Sequence, residues 1–242
     1  MAARGGKKGG GTAKLRRVAK LRLLAGMLLV VIIAGAWAWW HLHHWRPDRS
    51  AYPVQGVEIG ADDGDVNWKS LKAIGVDFAY VDASASAFAR DPGFVTNFEA
   101  AKAAGLQVGA VHRYDPCQPA EKQAANFVTT VPRDPALLPS AVELDMLADQ
   151  CPVRVSDARV ESELMTFLNQ VETHTGKAVI LKVTSRFQAR YAIANKLDRN
   201  LWLVRDRLLP DYAGRPWALW TANTDLANEI VQGGLRWVVA QP

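Results

Sequence analysis

From residue 54 onward the chain alternates between two hydrophobic rhythms. Short β-branched and aromatic runs occur at VQGVEIG (54–60), DFAYVDAS (77–84), LQVGAVHR (106–113), SAVELDM (140–146), AVILKVT (178–184), NLWLVRD (200–206), PWALWTA (216–222) and LRWVVAQ (235–241). Such runs predict strands. Between the earlier ones lie stretches with helical spacing of apolar residues, at 66–75, 93–105, 120–131, 156–176 and 186–197. Gly75, Gly105 and Gly176 stand where helix C-caps belong, just ahead of the next strand. Repeated strand and helix units predict an α/β fold with parallel strands and helical crossovers. About eight strands in roughly 190 residues make a compact β/α barrel with few helices at its C-terminal end. An open doubly wound sheet is the alternative.

A barrel gives meaning to the polar positions, because chemistry in such folds gathers at the C-terminal ends of the strands. Glu58 lies near the end of the first predicted strand, Asp82 and Ser84 the second, His112 and Arg113 the third, Glu143 and Asp145 the fourth. The last pair stands in SAVELDML, residues 140–147. Two positions apart in a strand, both acids face one way, while Val142, Leu144 and Met146 face the other. A surface strand with two solvated acids is one explanation. The other is a carboxylate cluster across one cavity, which suits glycoside hydrolysis, where one carboxyl donates a proton and a second stays ionised. Crowding like charges in a partly dry mouth raises one pKa in the required direction. Trp217, Trp220 and Tyr114 are candidate stacking surfaces for sugar rings, with ordinary packing as the competing role.

Charge changes the picture of the N-terminus. Residues 1–22 carry eight Lys or Arg and no acid, so the net +5 divides into +8 there and −3 for the rest. The basic character belongs to the tail, which argues against a nucleic-acid-binding body. LLAGMLLVVIIAGAWAWW, residues 23–40, follows without a charge, and Trp37, Trp39, Trp40 and Trp45 cluster at its far end. Length and aromatic placement predict a transmembrane helix. A cleaved signal peptide is the rival, but no small-x-small site follows before the bulky WAWWHLHHW. The expected organisation is therefore a cytoplasmic tail (1–22), a helix through the cytoplasmic membrane (23–40), a juxtamembrane linker (41–53) and an extracytoplasmic domain (54–242). His41, His43 and His44 have no acid or Cys beside them and are read as interfacial polarity.

Cys117 and Cys151 lie in DPCQP and ADQCPV, settings that fit loops. The compartment permits a disulfide, and two free thiols are the other state. Cys117 follows His112 by five residues and Cys151 follows Asp145 by six, so a bridge would tie neighbouring loops on one face.

GVEIGADDGDVNWKSLKAIGVDFAYVDAS (56–84), followed by DPGFVTNFEAAKAAGLQVGAVHRY (91–114), resembles the N-terminal half of the glycoside hydrolase family 25 lysozymes. Their pattern runs G-I-D-V-S-x-x-Q-G-x-I-D-W, G-V-x-F-A, K-A-T-E-G, A-G-L-x-V-G-x-Y-H and L-P-x-x-L-D-x-E. LWLVRD and WALWTA are similar to the family's late tryptophan strands. The resemblance implies a TIM-like barrel that cleaves the N-acetylmuramic acid to N-acetylglucosamine bond of peptidoglycan, with net retention and no metal or cofactor. This chain departs from the pattern in a consistent way. Glu58 replaces an Asp, Gly60 a Ser, Asp63 a Gln, Asp82 a Lys, Ala85 a Glu and Val111 a Tyr, while His112 is kept. LPSAVELD sets Glu143 on the family's Asp and Asp145 on its catalytic Glu, so charges are kept and lengths exchanged. The implied catalytic set is Asp145 as acid, Glu143 as partner and Glu58 in support. His112, Asp82, Asp63, Tyr114 and Trp220 are the substrate-binding candidates. The expectation is a membrane-anchored, monomeric lysozyme-like hydrolase of cell-wall peptidoglycan; the alternative is a catalytically impaired domain that binds the polymer on the same barrel.

Overall fold

The computed structural model describes residues 10–242, with side chains from residue 20. The start of the basic tail, residues 1–9, lies outside the described residues. The chain divides between His44 and Trp45 into two compact units.

The first unit contains helix α1 (Gly10–His43). Its segment Lys20–His43 has a mean hydropathy of 2.2 and is long and apolar enough to cross a membrane. The aromatic end is internally ordered: His41 stacks on Trp37, His43 lies against Trp39 and His44 stacks on Trp40, each one helical turn apart. His43 and His44 also place Nδ1 2.8 Å from the carbonyls of those tryptophans. The histidines are thus engaged locally along the helix.

The second unit is a closed eight-stranded barrel with helices outside it. In chain order it runs β1 (Gln55–Ile59), α2 (Trp68–Ala73), β2 (Phe78–Ala85), β3 (Ala89–Arg90), α3 (Phe94–Ala103), β4 (Gln107–Arg113), α4 (Ala120–Thr130), β5 (Ala141–Leu144), α5 (Asp157–Thr175), β6 (Ile180–Val183), α6 (Ser185–Tyr191), α7 (Ile193–Lys196), β7 (Leu201–Val204), β8 (Leu219–Leu226) and β9 (Leu235–Ala240). The sheet order β1-β9-β8-β7-β6-β5-β4-β2 is closed by pairing of β1 with β2, and the two-residue β3 hangs on the end of β2.

Three expectations need correction. The last strand is antiparallel to both of its neighbours. The chain between β8 and β9 has no crossover helix, so the strand returns as a hairpin. The stretch expected to form one helix over 186–197 is broken at Ala192, whose φ of 53° ends α6. Residues 46–53, expected as a linker, are packed onto the barrel. There Arg49 pairs with Asp77 at 2.7 Å, Gln55 donates to the carbonyls of Pro47 and Tyr52, and Tyr52 stacks on Trp217.

Period-two alternation divides the strand residues between two cores. Outward residues such as Val57, Ile59, Val142, Leu144, Leu181 and Trp237 pack beneath the helices. Inward residues fill the lumen with Phe78, Tyr80, Val111, Ala141, Ile180, Trp202, Leu219 and Val238. Tyr80 fits because its neighbour on β4 is Gly109, where any Cβ would stand 2.4 Å from the tyrosine ring. This apolar plug floors the barrel, and the next inward layer toward the C-terminal ends is polar.

Candidate active site

The polar layer consists of the inward residues that follow the plug on six strands. Glu58 on β1, Asp82 on β2, Arg113 on β4, Glu143 on β5, Lys182 on β6 and Arg236 on β9 form a chain of ion pairs closed into a ring by a hydrogen bond from Arg236 to the Glu58 carbonyl. Lys182 Nζ lies 2.5 Å from Glu58 Oε1 and 3.0 Å from Glu143 Oε1. Arg113 lies 3.2 Å from Glu143 and 3.7 Å from Asp82. Arg236 reaches Asp82 at 3.4 Å, Asp63 at 2.9 Å and the Glu58 carbonyl at 3.2 Å. Asp63 ends a short 3₁₀ turn after β1, where it accepts the Gly60 amide at 2.6 Å.

The ring sets unequal proton affinities. Burial works against the charge of Glu143, yet Lys182 and Arg113 outweigh it and hold its carboxyl down at about 2. Burial, reinforced by the Glu58 charge, pushes Asp82 up to about 7 against the pull of Arg236 and Lys182. Lys182 is buried but stays charged, because Glu58, Glu143 and Asp82 together overcome the loss of solvent. A lumen of this kind therefore holds one firmly ionised carboxylate and one carboxyl able to keep a proton near neutral pH.

Beside the ring opens a cleft of about 200 Å³, lined by Asp82, Arg113 and Arg236 and by residues of the β2–β3 hairpin and the turn after β1. The hairpin is firmly tied down: Asn126 donates to the carbonyls of Ser86 and Ala89, and Arg90 donates to Asn126 and Thr129. At its turn Phe88 is left 76% exposed.

Four of the acids singled out in the sequence, Glu58, Asp63, Asp82 and Glu143, converge through these cations. Asp145 lies one residue past the end of strand β5 at Leu144. Its carboxylate is gripped through both oxygens by Arg186 of α6, with Nε 2.6 Å from Oδ1.

The remaining candidates lie behind the sheet. His112 points outward, fully buried, stacked 4.7 Å from Phe167. Ser84 meets its Nδ1 at 2.8 Å and Gln123 Oε1 its Nε2 at 3.3 Å, while burial lowers its pKa to about 4. Tyr114 and Trp220 are 2% exposed, and the Trp220 indole donates to the Arg205 carbonyl. Neither ring offers a face to a sugar; Trp217 is half-buried against Tyr52 and Trp220. Cys117 and Cys151 are bonded to each other with an S–S distance of 2.08 Å, joining the loops after β4 and β5.

Lys182 and Arg236 belong to the site although neither stands among the residues marked by the sequence pattern. The signal was present: one cation inside AVILKVT and one inside LRWVVA, each a lone charge in an apolar run. A charge in a strand buried on both faces needs an opposite charge.

The family model for glycosyl hydrolases family 25 matches residues 57–223. A family 25 glycosyl hydrolase from Bacillus anthracis is similar over 84% of this chain and 94% of its own, with 25% identity and a TM-score of 0.75. A bacterial lysozyme from Streptomyces coelicolor shares the fold over 78% of this chain and 92% of its own, with 21% identity and a TM-score of 0.70. The uncharacterized protein YegX of Escherichia coli strain K12 is 23% identical over 194 residues, 74% of this chain and 69% of its own.

Proposed function

Because the chain belongs to glycosyl hydrolases family 25, we propose that its barrel hydrolyses peptidoglycan as a muramidase, cutting between N-acetylmuramic acid and N-acetylglucosamine. One observation carries the reading: a lumen layer in which Glu143 sits between Lys182 and Arg113 while Asp82, with looser ion pairs, lines an open cleft. Hydrolysis through an oxocarbenium-like transition state needs that contrast.

Glu143 faces the positive charge that develops at the sugar carbon. Lys182 and Arg113 fix its position and keep it charged. Glu58 is only 1% exposed and does not reach substrate; it anchors Lys182.

The apolar helix is proposed as an uncleaved anchor in the cytoplasmic membrane, with its basic tail in the cytoplasm and the barrel beyond the membrane as a monomer. The disulfide fits that side.

The test is release of reducing ends from purified peptidoglycan by the full chain in detergent micelles, between pH 4 and pH 8. Wild-type protein is expected to release them, and Glu143→Gln to lose at least about a hundredfold in kcat with its thermal transition retained. Wild-type protein that pulls down with the polymer but releases nothing would instead establish a binding domain.

A further inference from the structure

We infer that Asp82 is the proton donor of this site, delivering to the glycosidic oxygen from the β2 side of the cleft. The inference rests on the glycosidase reading above.

The lumen holds one more carboxylate than cation. Four carboxylates, Glu58, Asp63, Asp82 and Glu143, face three cations, Arg113, Lys182 and Arg236. One acceptor, Glu58 Oε2, is buried without any hydrogen bond. A cluster one cation short in a low-dielectric site gains from neutralising one acid.

Distances select which acid. Glu58 and Glu143 lie 2.5 and 3.0 Å from the Lys182 ammonium, and Asp63 takes a backbone amide at 2.6 Å and Arg236 at 2.9 Å. Asp82 has only Arg236 at 3.4 Å and Arg113 at 3.7 Å, the loosest compensation of the four. These groups reach it from the first, fourth, fifth, sixth and ninth strands and from the turn after β1. The cleft adds Asp62, Asp91 and Arg90 at its wall. Burial and the Glu58 charge raise the Asp82 carboxyl in keeping with this geometry.

Access selects the same residue. Asp82 lines the cleft, whereas Glu58 lies sealed beneath it. Room for the carboxyl comes from Gly60, where a Cβ would stand 2.5 Å from Asp82 Oδ2. Asp82 and Glu143 both contact the Arg113 guanidinium, at 3.7 and 3.2 Å, which places the two carboxyls on one cation. Asp145 is engaged through both carboxylate oxygens by the Arg186 guanidinium.

In the step, the Asp82 hydroxyl proton passes to the bridging oxygen and the C–O bond breaks, its electron pair leaving with the departing sugar hydroxyl. Glu143 faces the cationic carbon. The water that finally adds there returns its proton to the Asp82 carboxylate, closing the cycle.

The experiment compares wild type, Asp82→Asn, Asp145→Asn and Gly60→Ala, all as full chains in detergent micelles, by kcat, KM and pH profile on purified peptidoglycan. Asp82→Asn is expected to lower kcat at least about a hundredfold with KM little changed. Wild-type activity should fall as pH rises through about 7, where Asp82 loses its proton. Asp145→Asn should stay within about tenfold of wild type. Gly60→Ala, whose methyl displaces the carboxyl, should lose activity without touching either acid, and it carries the test if Asp82→Asn does not fold. Asp82→Asn, or in its place Gly60→Ala, with wild-type kcat and the same alkaline fall overturns the donor role and leaves the glycosidase reading standing. A wild type that releases nothing at any pH overturns both.

Discussion

Two polar clusters are buried back to back across β2 and β4, and they solve the problem of burial differently. Behind the sheet, His112 is neutral and shares its two ring nitrogens between Ser84 and Gln123, while Gln123 also serves the amide and the carbonyl of Asp115. Inside the barrel, one residue further along β4, Arg113 joins a ring of formal charges that opens onto a cleft. Neutral groups with matched donors and acceptors need no solvent and cement helices α4 and α5 to the sheet. Charges with one acid in excess stay responsive to protons and to whatever enters the cleft. Burial alone therefore does not mark a working site; unbalanced charge beside an opening does.

The contrast is tested most severely by Lys182→Met. Removing the ammonium leaves Glu58 and Glu143 without their common partner, and breaking a buried pair costs about 3–5 kcal/mol. Thermal melting should fall by roughly 10 °C. A drop no larger than that of the neutral cluster would erase the distinction between them.

The pH dependence of stability follows, because the two clusters pull in opposite directions. Asp82 binds its proton more tightly folded, at about 7, than unfolded. Its contribution is present below about pH 4 and lost as pH rises through 7. His112 binds its proton less tightly folded, at about 4, so its contribution is present above about pH 6.5 and lost as pH falls through 4. Denaturant midpoints of Asp82→Asn should therefore lose the alkaline decline, on the order of 2–4 kcal/mol, while the acid decline remains.

His112→Phe removes the neutral cluster's centre and strands Ser84 and Gln123. A loss of about 1–3 kcal/mol is expected, with the pH profile of kcat unmoved. A shifted profile would instead connect His112 to the lumen. Smallest of all, Arg186→Ala breaks a pair whose side chains are 53% and 37% exposed, and urea titration should register less than about 1 kcal/mol.

Much of the barrel was legible because its strands are short, apolar and punctuated by glycines. Gly75, Gly105 and Gly176 all adopt the positive φ expected before a new strand. What parity alone did not reveal is where parity fails. The bulge in β2 inserts Ala83, so Ser84 aligns with His112 behind the sheet although Asp82 faces the lumen. That single-residue event leaves hydrophobic spacing almost unchanged, yet it sends Ser84 to the His112 side of the sheet. The lumen cations were hidden for another reason: each became meaningful only once strands distant in sequence stood opposite one another, as β1 and β6 do at Glu58 and Lys182.

The close approach of Gly60 to the Asp82 carboxyl couples the two positions sterically. Where the resembling lysozyme pattern has Ser and Lys, this chain has Gly and Asp, and a Cβ at 60 would stand 2.5 Å from Asp82 Oδ2. A side chain at 60 and the present pose of the acid compete for the same space, so a designer who alters one position must choose the other with it.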